Sequence, residues 1–232
     1  MKRILIVGII LLLLVVGCGK KETTAPDEST PPPLTAAEII AMASEKLEAL
    51  SSFHFTLDQE GGGTPIAMGL EMTSASGDIT RPHKLKVDVF AGFVEVGVIT
   101  VGEVTFMTNP LTGEWEPLPN EFTAVRLFNP DTGIKAIIGK ISNAVKLGEE
   151  KVAGALCYHI KGTLDSGDLS AISCGAAIEG ISIDTDVWIG KDDFLLRQIR
   201  LEGQVTKDEK PGIVRTLIIS NFDQPVTIEL PE

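Results

Sequence analysis

The sequence predicts an α+β domain built on one large antiparallel sheet. Three observations predict it. Apolar and polar residues alternate with period two over most of residues 53 to 118 and again after 145. Turn residues recur every 8 to 12 positions, as in a meander. Two stretches, 35 to 50 and 130 to 144, change to helical spacing and supply the few helices.

The elements follow in order. In TAAEIIAMASEKLEAL, residues 35 to 50, Thr35 and Glu38 stand at capping-box spacing, and Ala36, Ile39, Ile40, Ala43, Leu47 and Leu50 form one stripe. SFHFTLDQE alternates, with Phe53, Phe55 and Leu57 on one face and His54, Thr56 and Asp58 on the other. After Gly61-Gly62-Gly63, strands are expected at MGLEMTSASG, KLKVDVF, GFVEVGVIT, VTFMT and, past the turn Asn109-Pro110-Leu111-Thr112-Gly113, EWEPL. Pro130 suits a first helical position, with Ile134, Ile137, Ile138 and Ile141 behind it. Strands resume at 145 to 150 and 155 to 164. A short helix is expected at 166 to 173, then strands near 181 to 190, 194 to 203, 212 to 222 and 225 to 230. About ten strands with two or three helices on one face is the expected architecture.

The N-terminus supplies the address. Lys2 and Arg3 precede an apolar run from Ile4 to Val16, too short for the roughly 20 residues of a spanning helix. A basic start, a short apolar centre and a small residue before the break are the parts of a secretory signal. Val15-Val16-Gly17-Cys18 resembles a bacterial lipobox, in which the Cys thiol takes diacylglycerol and the chain is cut before that Cys. The resemblance implies a signal peptide at 1–17, an acylated Cys18 and, through 18–34, a proline-rich tether. An uncleaved anchor helix is the alternative. Gly19 to Leu34, about 16 residues at roughly 3 Å each, could lift a domain of residues 35–232 up to about 50 Å from the bilayer. Loss of Lys2 and Arg3 takes the net charge from −12 to −14. That acidity argues against nucleic acid and against a basic patch on anionic lipid.

Candidate chemistry is sparse. His54 and His159 fall on polar strand faces and His83 follows Pro82 in a turn, so no spacing joins them as metal ligands. Asp192-Asp193 reads as turn chemistry. No GxSxG elbow or glycine-rich phosphate loop occurs in the sequence. The expectation is a protein without catalytic residues, metal or cofactor. Alternation in ALCYHIKGT puts Cys157 on the polar face with His159 and Lys161. In an oxidising compartment Cys157 and Cys174 are left with two states, a disulfide or two thiols.

The sheet's prospective buried face is mostly Val, Ile, Leu and small residues, and aromatics make up 5% of the chain. Such a lining can leave room for acyl chains, since each buried CH2 contributes about 0.8 kcal/mol. Four stretches carry a family resemblance: the opening helix into LSSFHFTLD; FNPDTGIKAIIGKISNAVKLGEEKVAGALCYHIKGTL; DVWIGKDDFLLRQIRLEG; and LIISNFDQPVTIELPE. In their order and spacing, residues 35 to 232 resemble the mycobacterial LppX/LprG-type lipoproteins, a family of surface lipid carriers. The segment with Trp188 and Arg197 also resembles related LolA-like half-barrels that handle lipoproteins in the periplasm. The resemblance implies a strongly curved antiparallel half-barrel with helices on its concave face, enclosing an apolar cavity for lipid or glycolipid chains. Face alternation supplies the expected lining: Phe53, Phe55, Val87, Val89, Val96, Val98, Phe106, Ile134, Ile137, Ile138 and Ile141. The function so implied is a monomeric, lipid-anchored, extracytoplasmic carrier that moves lipid across the cell envelope, with a membrane transporter as its kind of partner. A protein-binding half-barrel, either a sorting receptor or an envelope sensor, is the alternative. A structural envelope lipoprotein with a solid core is a third reading. Cys157 with Cys174, the acidity and the LSAISCGAAIEG insert depart from the family pattern.

Overall fold

Thr35 closes the capping box its spacing announces. Its hydroxyl accepts the Glu38 N–H at 3.3 Å, and the Glu38 carboxylate accepts the Thr35 N–H at 2.8 Å. Helix α1, Ala36–Ala49, buries Ala36, Ile39, Ile40, Ala43 and Leu47 along one stripe. The computed structural model describes residues 33–65, 71–118, 133–170, 173 and 176–231. The lipobox, the tether up to residue 32, Pro130 and Cys174 lie outside the described residues.

From α1 the chain enters β1 (Ser52–Glu60). Two-residue strands β2 (Thr64–Pro65) and β3 (Glu71–Met72) pair as a separate ribbon. A meander follows: β4 (Ser74–Thr80), β5 (Lys84–Ala91), β6 (Val94–Val101), β7 (Val104–Thr108) and β8 (Trp115–Pro117). Helix α2 (Ile134–Gly139) leads into the long hairpin β9 (Ser142–Val152) and β10 (Ala155–Asp165). After a 3-10 turn at Ser166–Leu169 come β11 (Ser182–Gly190), β12 (Leu196–Glu202) and β13 (Val214–Ser220).

Among the described residues one sheet of 11 strands runs β8-β7-β6-β5-β4-β1-β13-β12-β11-β10-β9, with antiparallel neighbours throughout. Strand β1 joins the meander to the second half. Strands β8 and β9 are its two edges, so it is an open sheet and not a closed barrel. Residues Leu34–Glu232 hold together as one unit.

Register decides which face is which. Val96, Val89, Ala75, Leu57, Leu217, Ile199, Val187 and Ile160 stand side by side from β6 to β10. This row belongs to one apolar cluster with the stripe of α1 and with Ile137, Ile138 and Ile141. The inner face is therefore the helix-covered one. The next row over, Thr56, Ile218, Gln198, Trp188 and His159, faces outward.

Four expectations need correction. Residues 225 to 230 alternate but form no strand: the Gln224 carbonyl accepts from Ser52 of β1 and the Ile228 carbonyl from Lys84 of β5. The segment thus crosses the strand direction, where no ladder can form. MGLEMTSASG contributes only the short β3 and the start of β4, and residues 66–70 lie outside the described residues. The helix expected at 130 to 144 ends at Gly139, and Ser142 already belongs to β9. The helix expected at 166 to 173 is a 3-10 turn, which Asp165 caps by accepting the Gly167 N–H at 2.8 Å.

Candidate functional site

The inner face is built from alternate residues of each strand. Beside the Leu57 row lies a second, Met107, Val98, Val87, Gly77, Phe55 and Ile219. Gly77 is the gap in it: a Cβ there would stand 2.3 Å from the Lys86 carbonyl oxygen. Gly162 on β10 is similar, with the Ser142 carbonyl oxygen 2.7 Å from a Cβ. Glycine inside a strand marks a bend or a close backbone approach. The β9–β10 ladder shifts register next to Gly162.

The helices cover this face and hold each other. Ser44 of α1 donates to the Lys135 carbonyl of α2 at 3.1 Å, and Lys135 pairs with Glu48. Ile39, Ala43 and Ile138 are fully buried between helix and sheet.

The structure brings the expected lining together with one exception. Phe53, Val87, Val96, Val98, Ile137, Ile138 and Ile141 are buried in the cluster, and Phe55, Val89 and Ile134 pack against it half-buried. Phe106 does not join them. It pairs with Ile99, so it lies on the outer face, and Met107 takes the inner position opposite Val98. Sequence reasoning missed Met107 and also Leu57 and Leu217. Pairing with Val98 identifies Met107, and the row from Val96 to Ile160 identifies Leu57 and Leu217, once the register is known. A half-open cleft of about 430 Å³ lies apart from these residues, lined by Thr64, Pro65, Ala177, Thr206 and Lys207.

Among the described residues one ion pair is buried. Glu209 and Arg215 meet at 2.5 Å and are each under a tenth exposed. The Glu209 carboxylate also accepts the N–H groups of Val205 at 2.7 Å and Thr206 at 3.0 Å, and the Thr64 hydroxyl at 2.9 Å. Burial pushes this carboxyl up. Arg215 and the two backbone donors more than offset that, so it sits below the usual carboxylate range.

The outer face carries His54 and His159. His159 stacks on Trp188 at 4.4 Å and lies between Glu150 at 2.9 Å and Asp186 at 2.8 Å. Trp188 donates to Glu150 at 3.0 Å, and this bond, then that from His159, holds the Glu150 carboxyl below its ordinary range. His54 takes Asp78 at 2.8 Å on Nδ1 and Ser76 at 3.3 Å on Nε2. Ser76, His54 and Asp78 thus follow the order of a hydrolase relay. Hydrolysis also needs preorganised N–H donors for the oxyanion. Here the N–H groups of β1 and β4 are taken up in ladders to their neighbours. The arrangement is cross-strand pairing on a solvated face.

Asp193 acts in its turn, accepting the Leu195 N–H at 3.0 Å and pairing with Arg197 at 2.5 Å. Cys157 is a buried free thiol, although alternation put it on the polar face. It stands opposite Gly190, which Asp193 and Arg197 overlie, and burial pushes its thiol up. Among the described residues no group of His, Cys, Asp and Glu could hold a metal, and no helix is long and apolar enough to cross a membrane.

An open antiparallel sheet with its helices on one apolar face matches known proteins. The LppX_LprAFG lipoprotein family model matches residues 35–228. The chain belongs to that family. A Mycolicibacterium smegmatis relative named lipoarabinomannan carrier protein LprG is 24% identical over 209 residues, covering 84% of this chain and 82% of its own. A second LprG of the same name, from Mycobacteroides abscessus, is 22% identical over 200 residues and covers 84% of each chain. LprF from Mycobacterium bovis superposes with a TM-score of 0.67 at 17% identity, over 84% of this chain and 96% of its own. LppX from Mycobacterium tuberculosis gives 0.63 at 18%, over 84% and 98%. The family's fold is thus the fold of this chain, and lipid carriage is a role named within the family.

Proposed function

We propose that this protein is a cell-envelope carrier that takes the acyl chains of a lipid or glycolipid between its inner sheet face and helices α1 and α2. Opening the helix-covered face would admit the chains, and the headgroup would stay in water. The observation that carries the reading is the uninterrupted apolar row from Val96 to Ile160, closed over by the stripe of α1. Apolar contact is non-directional, so such a face suits chains of varied length. Gly77 and Gly162, where neighbouring backbone comes close, support a sheet bent around this face. The carrier name of the two LprG relatives makes an acylated lipoglycan the first cargo to try.

The same reading makes Cys18 the acylated first residue, reached through the 18–34 tether, with the domain outside the cytoplasmic membrane. A pairing of Cys157 with Cys174 stays a proposal for the oxidised state.

Val96→Asp tests the function. It places a carboxylate in the inner row, at its β6 end. The variant should lose its co-purifying lipid, measured by organic extraction and mass spectrometry, while circular dichroism checks the sheet. A folded Val96→Asp protein carrying as much lipid as the parent would contradict the reading.

A further inference from the structure

Strand β6 ends in two turns of the same build. Ala91 pairs with Val94 across Gly92-Phe93, and Val101 pairs with Val104 across Gly102-Glu103. Each turn opens with a glycine at positive φ, +65° at Gly92 and +63° at Gly102, as two-residue hairpins require. The second turn position is the most outward one. At one end of the strand it holds Glu103, an ordinary choice for solvent. At the other it holds Phe93, fully exposed. Turn geometry asks for neither residue, so the phenyl ring is not explained by the fold.

The neighbouring hairpin repeats the exception. Asn109 Oδ1 accepts the N–H of Leu111 at 2.9 Å and of Thr112 at 3.3 Å, and Asn109 N–H reaches the Glu114 carbonyl at 2.8 Å. The loop is thus held by its own bonds, and Leu111 projects from it 93% exposed. Thr108 donates nothing to the tip but accepts the Gly97 N–H at 2.8 Å, which fixes the two hairpins side by side. Phe93 lies four residues beyond Gly97 and Leu111 three beyond Thr108, in the same direction. At roughly 3.3 Å per residue, with strands about 4.8 Å apart, both tips stand about 10 Å past that level and roughly 10 Å from each other. Phe90, on the adjoining strand end, is 37% exposed.

We propose that these two tips are a membrane-docking device: Phe93 and Leu111 enter the interface of the bilayer, so that the domain stands with this end of the sheet down. The occupant is argued from the chain itself. Under the lipoprotein reading, residues 18–34 tether the domain to Cys18 over at most about 50 Å, so a bilayer is the surface held next to it. Glu71, Glu95 and Glu114 flank them and no lysine or arginine falls between residues 87 and 118, so the surface they suit is a neutral lipid one. Apolar side chains at the bilayer interface bind in proportion to the area they bury, and no basic charge adds to it in this stretch. The inference rests on the lipoprotein reading for its membrane and is independent of what the inner face holds.

The test uses the full acylated chain, reconstituted into phosphatidylcholine vesicles containing nitroxide-labelled phosphatidylcholine. Phe93→Trp, Leu111→Trp and Glu103→Trp are compared, with the parent's Trp115 and Trp188 as background. Glu103 lies about 25 Å from Phe93, at the far end of β6. The proposal expects nitroxide quenching of Phe93→Trp and Leu111→Trp at least threefold above Glu103→Trp. Equal quenching at both ends, or none above the parent at the tips, overturns it. A blue shift at the tips without nitroxide quenching also overturns it, because a protein or a second copy then covers them. Acyl mass on Cys18 and vesicle flotation are read in the same samples. Loss of both would overturn the lipoprotein reading together with this one, whereas flotation without tip quenching would overturn this one alone.

Discussion

The two faces of the sheet are made by the same strands, yet they obey different rules. Inward, Leu57, Leu217, Ile199, Val187 and Ile160 make a row with no charge in it. One residue along, Asp58, Thr216, Arg200, Asp186 and Lys161 make an outward row in which Arg200 and His159 both reach Asp186. Partly exposed pairs of that outer kind contribute about 0 to 1 kcal/mol each. The inner row is where a single charge is costly. Polar order on the outer face therefore reflects cross-strand pairing, and the proposed carriage rests on the uncharged face.

Substitutions should break the two faces unequally. Ile138→Asp is expected to be the most damaging, because an unpaired carboxylate at a site 1% exposed has no partner to offset its desolvation. The measurement is the denaturant midpoint, with an expected loss of more than about 3 kcal/mol. Arg215→Met comes next, leaving Glu209 buried without its cation at a cost of about 3 kcal/mol. Glu209→Gln sharpens the point through pH. The folded carboxyl titrates below its unfolded value, so the stability it contributes is present above the ordinary glutamate range and is lost as pH falls through the depressed folded value. Thermal melts from pH 7 downward should show a shallower acid decline in Glu209→Gln than in the parent. Thr35→Ala removes the α1 cap and should lose about 1 kcal/mol. The smallest effect belongs to the outer face: His54→Ala should shift the melting midpoint by no more than about 1 kcal/mol in equivalent stability and leave bound lipid unchanged.

Much of this fold was legible in the sequence where one parity of a strand is apolar and the other is not. Phe53, Phe55 and Leu57 against His54, Thr56 and Asp58 fixed β1, and Leu85, Val87 and Val89 fixed β5. VTFMT has apolar residues at both parities, so its inner residue, Met107, emerged only from pairing with Val98. Residues 225 to 230 alternate because Ile228 is buried, but the segment lies across strands rather than along one. Cys157 shows the limit of alternation from the other side: its strand face is polar, yet Arg197 and Asp193 close over that one position. Which residues pair through space, as Glu209 does with Arg215 and Thr64, has no periodic signal at all.

The most direct measurement is the native mass of the Leu34–Glu232 unit, purified from its own host without detergent. A bound species of one or two defined lipid masses is expected, released by organic solvent and absent from Val96→Asp. A protein mass with nothing bound, unchanged after incubation with acylated lipoglycan, would contradict it.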